Sequence, residues 1–494
     1  MKVSKKDNIK NISLFSILYY ITYVLFMNIV YTSDHIAMHG FKEQEVFPSL
    51  ISYISGGRFL SYFVEIFYYL LSFVGVTRFE NKWVLQILLI FFLAVATNEI
   101  VKMYTPFFKD NYVILYALAY INFANPYFVE SFVYCSPELG LGILLVIIAS
   151  KKFIQKKFLG SIVFLFCGIS LYQSYIALFF IYVSTYIFLE NYKEIKREIM
   201  YMYVKLLLVG GIAALTNILI VKLCVNIGIV ETEIKSVTLE GDLIEKMKEI
   251  VDWFKMVTIE LLNISPGKML FYSILLVSLI CFVELLCLQK YLEIFYLAGT
   301  IICLNLFPYA ISFVMEIIYF PPRVSWPIFP AFAMTMLLCI CYMDKKWNKY
   351  LYKGVLFLQI LFIYYGIETC ILDMYISNSL DINNMYMIKD EIEEYEENTN
   401  IQITDIYVGH ANNIDYYHNE AKHFDYYWLM YSHKIHYDTW SDVEFLNYIT
   451  SSNYVEHEMG EEDKKELFEN VRNNVFNASE QLVFEGDTLY WLVY

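Results

Sequence analysis

Three short peptides lie at the outer ends of hydrophobic spans and are far more polar than their surroundings: Tyr31-Thr32-Ser33-Asp34-His35, Gly56-Gly57-Arg58 and Asn125-Pro126-Tyr127-Phe128-Val129-Glu130. Charged groups are costly at such depths, and chains that keep them use them. Asp34 follows the first span directly and Arg58 opens the second. A carboxylate at a membrane surface is pushed toward neutrality by desolvation and toward ionisation by a nearby arginine, which suits it to accept a proton from a sugar hydroxyl. Arg58 and Arg323, two arginines on one face, suit a phosphate, because guanidinium binds its oxygens bidentately and stabilises charge on a leaving group. An arginine at a helix end also serves as a snorkelling anchor. Glu130, Glu138 and Gln173 map to the same face. The Tyr172-Gln173-Ser174 turn there reads equally as a sugar-binding amide or as a tight inter-helical turn.

The elements that carry these groups are membrane spans. Of 494 residues, 58% are hydrophobic, the mean hydropathy is +0.47, and apolar runs of about 18 residues or more recur through the first three quarters. Spans are predicted at 12–31, 59–77, 83–100, 126–149, 158–172, 173–190, 203–228, 269–288, 291–318, 324–343 and 354–374. That makes about eleven crossings, with the apolar stretch 112–124 read as a re-entrant segment. The lysine-rich opening is followed by an apolar run with no small-residue cleavage site, so it reads as a retained first helix. With this choice the N-terminal lysines, Arg78 and Lys82, the cluster at 151–157, Lys193 to Arg197 and Lys345 to Lys353 all share one side, the cytoplasmic one. The C-terminus is then extracytoplasmic, on a multi-pass membrane protein.

After residue 375 the composition changes: 24 Asp and Glu stand against 6 Lys and Arg, which more than accounts for the net charge of −15. Residues 403–408, 446–449 and 481–494 have the β-branched and aromatic content of strands, with Glu485-Gly486-Asp487 as a turn. The expectation is a membrane domain over 1–375 and a small acidic α+β domain over 376–494. An acidic surface argues against nucleic acid as a partner. All nine cysteines lie at or before Cys370, so the exported segment has no disulfide framework. No Cys-x-x-Cys or His-Glu-x-x-His pair occurs, and no metal ligand is assigned.

The order of Gly56-Gly57-Arg58-Phe59-Leu60, residues 125–134, Ser170-Leu171-Tyr172-Gln173-Ser174-Tyr175 and Pro321-Pro322-Arg323-Val324, with an acid after the first span, resembles the bacterial O-antigen glucosyltransferases of the GtrII type. The resemblance covers roughly residues 10–375. It implies an all-α, GT-C-like polytopic membrane protein that takes a hexose from a polyprenyl-phosphate carrier on the outer face, with no cofactor required. Carried over by position, Asp34 is the general base or a carboxylate that orients the acceptor, Arg58 and Arg323 hold the donor phosphate, and Glu130, Glu138 and Gln173 bind substrate. His35, next to Asp34, is read as a further substrate contact. The chain departs from the family in two places. Asp34 is followed by His35 where the family pairs two acids. Tyr134 is followed by Cys135-Ser136-Pro137, with an acid only at Glu138.

The reading is a hexosyltransferase that attacks the anomeric carbon in one inverting step, with a cell-surface glycan or wall polymer as acceptor. Membrane lipid is its surroundings. Its rival is a flippase or transporter for polyprenyl-linked saccharides, which needs charge along the middle of the spans. Glu65, Glu284 and Glu316 are the chief acids there, no inverted repeat is evident, and the polar residues crowd the outer edge.

Overall fold

The computed structural model describes residues 5–24, 51, 53–73, 82–108, 112–133, 136–191, 197–230, 243–264, 266–313, 320–342, 346–410, 442–468, 471 and 476–493. Asp34, His35 and Glu316 lie outside the described residues. Among the described residues, seven helices are long and apolar enough to cross a membrane, and three further apolar helices are shorter.

Helix α1 (Lys5–Tyr19) is followed by α2 (Phe59–Ser72), α3 (Lys82–Tyr104), α4 (Tyr112–Ile121) and α5 (Phe128–Val133). Then come α6 (Pro137–Ile154), α7 (Phe158–Ile169), α8 (Ile176–Asn191) and α9 (Arg197–Asn226). Small residues bring three of these together, as is usual where lipid supplies no hydrophobic drive for helix pairing. A Cβ on Gly140 of α6 would stand 2.9 Å from Leu89 of α3, and one on Gly168 of α7 would stand 2.5 Å from Val146 of α6. Further along, Lys151 of α6 reaches Glu99 of α3 at 2.6 Å. Residues 89 and 140 are thus level at one end, and 99 and 151 at the other, so α3 and α6 run in the same direction.

This corrects the expectation that spans 83–100 and 126–149 run oppositely. The return is made by α4 and the turns after it, the stretch expected to be re-entrant. It runs alongside α1, with Phe15 stacked on Tyr116, Tyr19 beside Tyr120, and the Tyr23 hydroxyl donating to the Phe123 carbonyl at 2.5 Å. The start of α2 is held at the opposite end of α7 from Lys157, because Leu60 N–H donates to Ser170 O and Ser61 Oγ to Leu171 O. Residues 58 and 82 therefore sit at the same end of the bundle, and the segment between them makes no net crossing, contrary to the span expected at 59–77. Its apolar side chains Phe63, Phe67, Leu70 and Phe73 are exposed while Ser61 and Glu65 are buried. This is the pattern of an amphipathic helix with its apolar face turned to lipid.

The second half of the bundle contains α10 (Leu243–Phe254), α11 (Gly267–Cys287), α12 (Tyr291–Leu306), the short α13 (Pro322–Ser325), α14 (Ile328–Tyr342) and α15 (Lys346–Thr399). Helix α15 is continuous through residue 375 and serves two cores. The bundle core ends at Met374, and a second core begins at Met385. There Ile388 and Ile392 pack with Ile406, Val408, Leu489 and Trp491 of a four-stranded sheet. Its strands are β1 (Asp405–His410), β2 (Val455–Glu458), β3 (Leu482–Glu485) and β4 (Thr488–Val493), in the order β2-β1-β4-β3. Strand β1 is parallel to both neighbours, and β3–β4 is an antiparallel hairpin turning at Gly486 with φ +65°. Residues 446–449, expected to be a strand, lie in α16 (Asp442–Thr450). Burial of Val443, Phe445 and Leu446 on one helical face outweighs β propensity there. Helix α17 (Glu461–Phe468) follows β2, and α18 (Ala478–Gln481) precedes β3.

Single cysteines read the helix directions. A membrane-impermeant maleimide should label Lys82→Cys from the same side as Ser136→Cys and from the opposite side to Lys157→Cys.

Candidate functional site

The chain breaks its helices at the end of the bundle away from Lys151. Between α4 and α5, residues 122–127 leave backbone groups that a membrane interior cannot hydrate, and side chains take them over. Tyr23 Oη accepts from Asn125 N–H at 2.9 Å, and Asn125 Oδ1 caps Phe128 N–H at 2.9 Å. Short α5 then delivers Glu130, whose side chain is 0% exposed.

Glu130 is met by Arg323, 193 residues later in the chain. The Arg323 backbone N–H donates to Glu130 Oε2 at 2.8 Å, and its Nη1 donates to Oε1 at 2.5 Å. Pro321 and Pro322 set the approach, since proline suits the first turn of a helix and brings Arg323 into α13 with its N–H directed out of that turn. The two residues had been expected in separate roles, as phosphate ligand and substrate ligand; the structure pairs them. A guanidinium carries five N–H donors, so a carboxylate on one edge orients the group for an anion on another.

Arg58 is positioned by a different device. Gly57 takes φ +72°, and a Cβ there would meet Gln173 Nε2 at 2.4 Å and Asn217 Oδ1 at 2.6 Å. Gln173 Nε2 donates to Gly56 O at 2.7 Å, and Asn217 Nδ2 donates to Gly57 O at 2.9 Å. Two amides thus clamp the Gly-Gly turn, and its third residue places the Arg58 guanidinium 5.0 Å from the centre of the Tyr172 ring. Gln173, expected to bind substrate, spends its amide N–H on this turn.

Aromatic rings join the two arginine positions. Tyr172 lies 5.2 Å from Tyr175, Tyr175 lies 5.7 Å from Trp326, and Trp326 lies 5.1 Å from Phe128 on the Glu130 helix. Glu138, 7% exposed, opens α6, where the helix dipole favours a carboxylate. One turn on, a Cβ on Gly142 would stand 2.8 Å from the Tyr175 ring, so Glu138 occupies the face of α6 that meets this aromatic run. Arg58, Glu130, Glu138, Gln173 and Arg323 are therefore gathered at one end. Tyr172 and Tyr175, named from sequence only as members of the 170–175 motif, complete the arrangement together with Tyr23, Asn217 and Trp326, which were not singled out. Asn217 carried a usable signal, an amide in the middle of the apolar α9. Among the described residues, no group of three or more His, Cys, Asp or Glu is set to hold a metal ion.

The family model for glucosyl transferase GtrII matches residues 23–370, a stretch that contains every one of these side chains. The chain belongs to the GtrII glucosyl transferase family. No curated protein and no solved structure matches it. For this GtrII member the matched stretch ends at Cys370, just before the last residue of the bundle core, Met374.

Gly57→Ala forces a side chain into a left-handed position already filled by two amides, and should cost about 2 kcal/mol or more. Thermal unfolding in detergent should show that loss, and Gly211→Ala, which meets nothing within 4 Å, should show little change.

Proposed function

We propose that the protein transfers glucose from a polyprenyl-phosphate carrier to a cell-surface glycan or wall polymer, on the extracytoplasmic face of a bacterial cytoplasmic membrane. The observation that supports this most is the buried Glu130–Arg323 pair at the same end of the helix bundle as Arg58, two cations held where a lipid phosphate would lie.

The helix directions support a sidedness for this reading. Lys10 at the start of α1, Lys102, and the run Lys151, Lys152, Lys156 and Lys157 all belong to the end opposite Glu130. Placing that end in the cytoplasm follows the positive-inside rule. The chain then crosses eleven times, with α4 and its turns replacing α2 as a crossing, and both arginines and the acidic sheet domain face outward. Arg78 and Lys82 fall outside as well, outnumbered by the basic residues of the other end.

The donor's phosphate rests between Arg58 and Arg323, and its isoprenoid tail stays in the lipid. Asp34 takes the proton of the acceptor hydroxyl as that oxygen forms its bond to the anomeric carbon. The bond from carbon to phosphate oxygen breaks, and the electron pair leaves on a phosphate whose charge the arginines offset. The displacement inverts the anomeric centre and needs no general acid. His35, Glu130 and Glu138 complete the substrate contacts, Glu130 through Arg323.

Purified protein should move labelled glucose from synthetic polyprenyl-phosphate glucose to envelope glycan. Asp34→Asn should lose about 100-fold or more, the usual scale for a general base. Absence of transfer, with labelled lipid crossing proteoliposome membranes instead, would reassign the protein as a flippase.

A further inference from the structure

Two buried hydrogen-bond donors at this end of the bundle have no partner among the described residues. Trp326 is fully buried, and its Nε1–H has no partner among the described residues. Ser174 is 7% exposed, and its hydroxyl likewise has none. Leaving such a group unpaired costs about 1–3 kcal/mol, and native folds keep few of them.

The two donors adjoin one side chain. Ser174 precedes Tyr175 in the 3₁₀ turn Gln173–Tyr175, and the Trp326 ring lies 5.7 Å from the Tyr175 ring. Tyr175 in turn touches Tyr172, on which Arg58 rests, while Trp326 follows Arg323 by three residues. The residues that carry the unpaired donors thus belong to the run of contacts that links the two arginine positions, among Tyr172, Tyr175, Phe123 and Phe128.

The chemistry of such a place is specific. Indole N–H donates and never accepts, so its partner is an oxygen with a free lone pair. The phosphate's charge belongs with the guanidinium groups, and an aromatic wall disfavours a second anion. A neutral hydroxyl on an otherwise apolar ring face fits, and a pyranose presents both.

We propose that Trp326 Nε1–H and Ser174 Oγ–H hydrogen-bond hydroxyls of the transferred hexose and set which sugar the protein accepts. This rests on the glycosyl-transfer reading above. A site built around buried donors rejects a sugar that lacks the matching oxygen, because the donors are then stranded. The protein without substrate already carries that cost, so removing the donors leaves the unliganded fold no less stable.

The test compares the parent with Trp326→Phe, which keeps the ring contacts and removes only the N–H, and with Ser174→Ala. Donors are polyprenyl-phosphate glucose and its monodeoxy analogues. Each variant should lose tenfold or more in kcat/KM with the glucose donor, with an unfolding temperature equal to or above the parent's. One deoxy donor, slow with the parent, should be slowed no further by Trp326→Phe. Transfer by Trp326→Phe at the parent's rate from every donor overturns the proposal and leaves the transfer reading standing. Loss of activity that tracks a lowered unfolding temperature also overturns it, since the role is then structural. Failure of the parent to use any polyprenyl-phosphate hexose overturns both.

Discussion

The ion pair between Glu130 and Arg323 is the constraint on which the end of the bundle away from Lys151 depends. A carboxylate with no exposed surface cannot stay ionised among apolar helices unless a cation and further donors meet it. Arg323 supplies both, through its guanidinium and its own backbone N–H. Breaking such a pair from one side costs about 3–5 kcal/mol, whereas removing both charges costs far less. That asymmetry makes the pair weak as a source of stability and strong as a locator. It fixes the interrupted segment after α4 against the Pro-Pro-Arg turn, and so fixes Trp326 against Phe128 and Tyr175.

The same end collects helix starts. Helices α2, α6, α8 and α13 all begin there, at Phe59, Pro137, Ile176 and Pro322. Their N–H ends and dipoles favour negative charge, which suits the carboxylates Glu130 and Glu138 that stand there. The opposite end gathers Lys102 and the lysines from 151 to 157. Where the helices are interrupted at the Glu130 end, side chains such as Tyr23, Asn125, Gln173 and Asn217 satisfy the freed backbone.

Much of this was legible in the sequence, and the parts that were not have physical reasons. Arg58, Glu130, Glu138, Gln173 and Arg323 stood out because polar groups beside apolar runs are rare. Their pairing did not stand out, since 193 residues separate Glu130 from Arg323 and no local pattern encodes that contact. The direction of α3 was misread because α2 was counted as a crossing, and α4, although the more apolar of the two, then had to be left out to keep the lysines at 151–157 on the cytoplasmic side. The spacing of exposed Phe63, Phe67 and Leu70 against buried Ser61 and Glu65 is a helical-face signal that a hydropathy average removes. The glycines that let α3, α6 and α7 approach, Gly140 and Gly168, reveal their purpose only when the neighbouring helices are in place. Residues 446–449 have the composition of a strand, and burial of one helical face decided otherwise.

The central claim is that Arg323 is held by Glu130 in order to act on the donor rather than to hold the fold. The double variant Glu130→Gln with Arg323→Met removes both charges at once. Its unfolding temperature in detergent should recover most of what Glu130→Gln alone loses, while glucose transfer from the polyprenyl-phosphate donor should fall by about 100-fold or more, the scale of a lost charge-stabilising group. A double variant that folds as the parent does and still transfers at the parent's rate would contradict the account.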